Sequence, residues 1–197
     1  MPRRVTPGST LTGRHLAPVV GAPVAVPAPD RLVHLQFRRF AGCPVCNLHL
    51  RSIVRRHAEI EAAGVREVVV FHSPADEVRE HTDELPFAVV ADPDKRLYRE
   101  FGVESSRWSL LSPRAWLPIV RAVARSSWGL LRGRERAPSR TQDGGRLGLP
   151  ADFLIAPDGR VLAAKYGEHA YDQWSVDELL DLAGRHPDRL RTRSATT

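Results

Sequence analysis

Hydrophobic and polar positions alternate between two periods along this chain. "RLVHLQF" (31–37) sets Leu32, His34 and Gln36 between Val33, Leu35 and Phe37, a period of two that predicts a strand. Leu50, Ile53, Val54 and Ile60 then recur at helical spacing, which predicts a helix from about Cys43 to Ala63, stopped by Gly64. "VREVVVF" (65–71) is dense in β-branched residues and predicts a buried strand. "SPADEVREH" predicts a helix with Ser73 as cap and Pro74 at its first position. "PFAVVA" predicts another strand, and "DPDKRLYREFG" repeats the cap-plus-proline start and ends at Gly102. "LPADFLIAPDGRVLAAKYG" predicts two strands around the turn Pro157-Asp158-Gly159. The last helix carries a capping box, Ser175 with Glu178, and a hydrophobic staple of Trp174 with Leu179. Ahead of all these, "HLAPVVGAPVAVPAP" has short apolar pieces around Gly21 and predicts a loose hairpin.

The order is strand, helix, strand, helix, strand, helix, insertion, hairpin, helix. Alternating elements imply parallel strands joined by crossovers, and the closing hairpin adds antiparallel ones. The expected fold class is α/β: a mixed central β-sheet flanked by helices, with an N-terminal β-hairpin and a basic helical insertion. Residues 1–10 are expected as a disordered tail, 11–186 as one domain with its insertion at 104–146, and 187–197 as a C-terminal tail.

Composition narrows the functional classes. Apolar residues make up 42% of 197, ordinary for a soluble globular protein and enough for one large core. No apolar run approaches the roughly 20 residues of a membrane span. Pro18, Pro23, Pro27 and Pro29 break the N-terminal apolar stretch, which makes it a poor signal-peptide core, so a cytoplasmic location is expected. The net charge of +6 sits wholly in 104–146, where nine Arg face Glu104, Glu135 and Asp143.

The two cysteines, Cys43 and Cys46, share one short stretch, "FAGCPVCNLH" (40–49). In a reducing compartment a C-x-x-C pair points to redox chemistry or metal binding, with inert core packing as the plain alternative. Cys43 stands where a helix begins, and unpaired N–H groups there favour a thiolate. Arg38 and Arg39, just upstream, can add to that field. A spacing of three puts both sulfurs on one helical face, close enough for a disulfide. Pro44 fits the first turn, where no donor is needed. Zinc is the weaker reading, since Cys43, Cys46 and His49, with His57 further along the helix, make an awkward fourfold set. A c-type haem is excluded by Asn47, because that motif needs His there.

The strand, the "GCPVC" helix start and the later "P-x-x-F-L-I-x-P-D-G" block together resemble the thioredoxin superfamily, and more closely peroxiredoxin-like proteins of the AhpC/TSA type. The resemblance implies a thioredoxin-like fold and a thiol oxidoreductase or peroxidase that reduces a peroxide or disulfide through Cys43 and Cys46. A cellular thiol would re-reduce it, and no cofactor or metal is implied. It also implies a cis-proline before the strand next to the active helix, a place held by Pro150. Typical peroxiredoxins carry P-x-x-x-T-x-x-C. On this chain Arg39 holds the Pro position, Cys43 the Thr position and Cys46 the peroxidatic position. Thioredoxins attack with the first cysteine, here Cys43, and keep a buried acid near the place of Phe37. Both cysteines are therefore candidate nucleophiles, with Cys43 favoured as the more exposed sulfur and Arg39 and Pro150 as supporting residues. A non-catalytic thioredoxin-fold module that binds a metal or a protein is the alternative.

His34, His72 and His81 are expected to be partly exposed or hydrogen-bonded and have no catalytic role; Asp92 reads as a cap. Within 113–133, Arg114, Arg121, Arg125 and Arg132 fall on one helical stripe, opposite Trp116, Ile119, Val120, Val123 and Leu130. Such an apolar face is expected to dock on the protein or on a second copy, giving a homodimer, ahead of a membrane surface, with nucleic acid a distant third. Replacing Val120 and Val123 with Asp is expected to lower the thermal midpoint or dissociate a dimer. Replacing Arg121 and Arg125 with Gln should change stability by only about 0–1 kcal/mol per residue. Salt-sensitive binding of the wild type to anionic vesicles, lost in the Gln pair, would instead assign the helix to a membrane surface.

Overall fold

A computed structural model describes residues 4–82, 85–103 and 148–186. The basic insertion, its arginine-striped helix and the C-terminal tail lie outside the described residues. A five-stranded sheet has the order β5-β4-β3-β6-β7. Its strands are β3 (Leu32–Phe37), β4 (Val65–Phe71), β5 (Ala88–Ala91), β6 (Ala151–Ile155) and β7 (Val161–Tyr166). β3, β4 and β5 run parallel; β6 runs antiparallel to both β3 and β7. The mixed sheet and the N-terminal hairpin, β1 (Arg14–Leu16) with β2 (Val24–Val26), are as the sequence predicts.

Each face of the sheet is set by strand alternation. Val33, Leu35 and Phe37 of β3, Val68 and Val70 of β4, and Phe153 and Ile155 of β6 pack under the hairpin residues Leu16 and Val26 and against Tyr98 and Phe101. Tyr98 belongs to α4 (Arg96–Glu100), and Phe101 follows it. On the opposite face Leu32, Val65 and Leu154 meet Ile53, Ile60, Trp174 and Leu179. Those partners come from α1 (Pro44–Arg55), α2 (His57–Ala62), the residue ahead of the Ser175 N-cap, and α5 itself (Val176–Gly184). Ile53, Ile60 and Leu179 are fully buried, worth about 1.5–3 kcal/mol each. The capping box of α5 forms as expected: the Glu178 N–H donates to Ser175 Oγ, and the Ser175 N–H to the Glu178 carboxylate at 2.7 Å.

Four expectations are corrected. The helix over 43–63 is two helices, broken at Arg56, whose backbone leaves helical geometry (φ −116°) and whose guanidinium pairs with Glu59 and, at 2.6 Å, with Asp177 of α5. Ser73 does not cap α3 (Ala75–Thr82); its hydroxyl accepts the Ala41 N–H at 3.1 Å. α4 starts three residues later than the proline pattern implies, with Asp92 accepting the N–H groups of Arg96 and Leu97 at 2.9 Å each. Part of the expected N-terminal tail is ordered. Gly8 donates to Val161 O, Leu11 to Gly159 O, and Val161 to Ser9 O, so this segment covers the outer edge of β7, whose backbone groups would otherwise be unpaired. Gly159 suits that edge: its φ is +85°, and a Cβ there would lie 2.7 Å from Leu11 O.

The polar members of β3 are as buried as the apolar ones. His34 is hydrogen-bonded to Glu67 of β4 at 2.9 Å and to Asp152 of β6 at 3.2 Å. Arg38, just past β3, donates to Asp152 at 2.7 Å and to His49 Nε2 on α1 at 3.2 Å. Gln36 links the ends, donating to Glu67 and accepting from Arg38. Burial alone would push His34 down; the Glu67 and Asp152 carboxylates reverse this and raise it to about 9. Two cations, His34 and Arg38, thus face two buried carboxylates. Removing one partner from such a set strands the rest. Asp152→Ala is expected to cost about 3–5 kcal/mol in urea unfolding. A cost below 1 kcal/mol would show that the network is not fully charged.

Candidate active site

The C-terminal ends of β3, β4 and β5 and the start of β6 share one end of the sheet, because Phe37 pairs with both Val70 and Ala151. From this end arise the Cys43 loop, His72 after β4, Asp92 after β5 and Pro150 before β6. A reverse turn joins β3 to α1: the Cys43 N–H donates to Phe40 O at 3.2 Å, and Gly42 takes φ +73°, which glycine adopts without strain. Cys43 is the N-cap of α1 in extended geometry, and Pro44 occupies the first turn.

Both cysteines are reduced, and both are 1% exposed. This corrects the expectation that Cys43 is the more exposed sulfur. Ionisation, not exposure, distinguishes them. Burial pushes the Cys43 thiol up. The hydrogen bond from the Cys46 thiol, the Arg39 charge and the N–H groups of Cys46 and Val45 outweigh burial and bring it down to about 6. Arg39 Nη1 lies 3.7 Å from Cys43 Sγ. Cys46 moves the other way: burial, donation to Cys43 and the charge on that sulfur hold it well above its ordinary value. The two upstream arginines part company, Arg39 turning to the sulfur and Arg38 to the carboxylate network.

Pro150 immediately precedes β6, and its carbonyl accepts the Gly167 N–H at 2.9 Å, but the cis bond that the resemblance implied for it does not form. Its peptide bond is trans; among the described residues the cis bond is Val26–Pro27. The trans approach to β6 carries Gly148 onto the His72 ring, 3.2 Å from where a Cβ on Gly148 would stand to Nε2. His34, His49 and His72 are all buried; His34 is hydrogen-bonded as expected, whereas the His72 ring is neither exposed nor hydrogen-bonded, which corrects the expectation for it. His49 is held neutral by burial and by the Arg38 charge, its pKa lowered to about 3. Among the described residues no cluster of three or more His, Cys, Asp or Glu has a metal-binding arrangement. No described helix is long and apolar enough to cross a membrane.

A family model described as AhpC/TSA antioxidant enzyme matches residues 52–169. The chain belongs to that family. The match begins beyond Cys46, so the roles of the cysteine pair rest on the geometry above. No curated protein sequence matches. Peroxidoxin BcpB from Mycobacterium tuberculosis superposes with a TM-score of 0.65 at 16% identity, covering 93% of this chain and 99% of that one. Peroxiredoxin Q from Xanthomonas campestris gives 0.59 at 16% identity, covering 88% and 90%. A Chlorobium tepidum protein assigned as the thiol:disulfide interchange protein DsbE gives 0.57 at 18% identity, covering 90% and 98%. The fold is thioredoxin-like, as the sequence implies.

Two of these shifted ionisations, those of His34 and Cys43, have opposite pH signatures between pH 6 and 9. His34 is raised from 6.5 to about 9, so its stabilisation is complete below pH 6.5 and is lost as pH rises through 9. Cys43 is lowered from 9.0 to about 6, so its stabilisation is complete above pH 9 and is lost as pH falls through 6. Between these limits the slopes oppose one another, and the wild type should vary little. Cys43→Ser removes one slope, and its unfolding free energy is expected to fall with rising pH from 6.5 to 9. A second check is direct. Alkylation of Cys43 by iodoacetamide should have its midpoint near pH 6, and Arg39→Gln should move that midpoint upward. A midpoint of 8 or above in the wild type rules out the assigned thiolate.

Proposed function

We propose that the protein is a cytoplasmic thiol oxidoreductase in which Cys43 is the attacking thiolate and Cys46 the resolving thiol. The opposite ionisation of two sulfurs three residues apart carries this reading. It favours the thioredoxin order of attack over the peroxiredoxin one, which would make Cys46 the nucleophile. The residues at the peroxiredoxin Pro and Thr positions agree, being Arg39, which charges the site, and Cys43 itself.

With a disulfide, the Cys43 thiolate attacks one sulfur. A mixed disulfide forms, and the other substrate sulfur leaves as a thiolate. Cys46 then loses its proton, attacks Cys43 Sγ and expels the second substrate thiolate, leaving a Cys43–Cys46 disulfide. With a hydroperoxide, the thiolate attacks the terminal oxygen, the O–O bond breaks, and the alkoxide leaves with a proton from solvent. The Cys43 sulfenic acid then condenses with the Cys46 thiol and releases water. Either way two electrons pass from the pair to the substrate, and a cellular thiol returns them. Because both sulfurs are buried, the first step needs the Phe40–Cys43 turn to open. Two hydrogen bonds resist this, Cys43 N–H to Phe40 O and Ala41 N–H to Ser73 Oγ.

Mild peroxide or a small disulfide is expected to convert the protein to a form lighter by two hydrogens and restored by dithiothreitol, read by mass spectrometry. Cys46→Ser should trap a sulfenic acid or mixed disulfide on Cys43, and Cys43→Ser should trap neither on Cys46. Both thiols remaining alkylatable after excess oxidant would falsify the catalytic reading and leave a non-catalytic binding module.

A further inference from the structure

His72 is 1% exposed, and neither of its ring nitrogens has a hydrogen-bond partner among the described residues. A buried imidazole with no partner forgoes the hydrogen bonds it would have in water, so its position needs an account. Its surroundings supply one. The His72 N–H donates to Arg39 O at 3.3 Å, and the neighbouring Ser73 hydroxyl accepts the Ala41 N–H, so this segment lies against the turn that carries Cys43. The His72 ring stands edge-on to Tyr98 at 5.6 Å. Its Nε2 and the Cγ of Arg39 converge on Gly148, at 3.2 and 3.7 Å from where a Cβ would stand. Arg39 continues from there to Cys43 Sγ at 3.7 Å. Gly148 thus sits against both the unpartnered imidazole and the arginine side chain that reaches the Cys43 sulfur.

We propose that His72 is a substrate-binding residue of the dithiol site, donating an N–H to a carboxylate on the substrate while its reacting atom meets Cys43. The inference rests on the dithiol reading above. Burial together with the positive charges of Lys95 and Arg39 keeps the imidazole neutral, with its pKa lowered to about 4. At neutral pH the ring therefore keeps one N–H to donate and one lone pair. The same two cations make a negative group the favoured occupant. The substrate class is a disulfide or hydroperoxide with a carboxylate a few bonds from the reacting atom. A carboxylate so placed would bring His72 a charge-assisted hydrogen bond and would lie in the field of Arg39.

Two probes of matched length test this: dithiodipropionate, which ends in carboxylates, and cystamine, which ends in amines. The rate of Cys43–Cys46 disulfide formation is measured with each, for the wild type and for His72→Phe, His72→Leu and His72→Gln. Loss of a hydrogen bond to a charged group is expected to lower the dithiodipropionate rate roughly tenfold more than the cystamine rate in the Phe and Leu proteins. His72→Gln, which keeps a donor, should recover most of that difference. The thiolate absorbance of Cys43 reports whether the site is intact, and the Leu protein serves if the Phe protein does not fold. Equal losses for both probes, or no loss for either, would overturn the role of His72 while leaving the dithiol reading in place. A wild type that forms no intramolecular disulfide with either probe overturns both. A variant-free check is the imidazole nitrogen NMR signal of His72 in oxidised wild type, which should shift on titration with propionate and not with ethylamine.

Discussion

Two positive and two negative groups are sealed inside this sheet, and the geometry of the three central strands follows from keeping them paired. His34, Arg38, Glu67 and Asp152 come from three different chain segments and are each nearly or fully buried. A buried ion pair is weak evidence for stability, because desolvation cancels much of its attraction. It is stronger evidence for register. His34 is opposite Glu67 on β4, and Gln36 is opposite Asp152 on β6. Sliding either neighbour by one residue would turn its carboxylate to the other face and leave His34 or Arg38 buried beside valine and phenylalanine. A sheet whose remaining core positions are Val, Leu, Ile and Phe has little else to tell one register from another.

That register also builds the candidate site. Arg38 is drawn to the Asp152 side of the sheet, and its neighbour Arg39 is delivered to the sulfur. The arginine that charges Cys43 is therefore aimed by the one that does not touch it. Tyr98 reinforces the arrangement from the far face, its hydroxyl donating to the carbonyls of Arg38 and Val70 and closing the end of the β3–β4 pair. His49, one helical turn after Cys46, accepts from Arg38 and ties α1 to the same network. The cysteine helix is thus fixed at its start by the turn after β3 and along its length by a buried hydrogen bond to the sheet.

The elements that were legible in the sequence were those with a local cause. Alternation in 31–37, the β-branched run of 65–71, the Pro157-Asp158-Gly159 turn and the Ser175–Glu178 box are all set by neighbours within a few residues, and all appear. Boundaries shifted where the backbone or a distant partner intervened: Arg56 leaves the helical φ and divides one helix, and Ala41 takes the Ser73 hydroxyl that would have capped another. The C-x-x-C pair and Arg39 were visible from spacing alone. The relative exposure of the two sulfurs was not, because burial is decided by elements remote in sequence. Nor was the charge network, since nothing local tells His34 that Glu67 and Asp152 will meet it. One signal did exist: a strand in the middle of an α/β sheet is normally apolar on both faces, so His34 and Gln36 in β3 implied polar partners on the strands beside it.

The difference between the two cysteines has a single origin viewed from two ends. The hydrogen bond that lowers Cys43 is the one that raises Cys46, and burial raises both. What breaks the tie is position. Cys43 has the N–H groups of the first helical turn and a guanidinium nearby, whereas Cys46 already lies within the helix. Burial would ordinarily argue against a thiolate. Here it sharpens the contrast, because in a low-dielectric site the charge of Arg39 and the dipoles of the helix start act with little screening. The same seclusion lets Cys46 keep its proton while Cys43 is ionised. On the proposed dithiol reading this contrast favours Cys43 as the first sulfur to act, and Cys46 must still give up its proton before the second step.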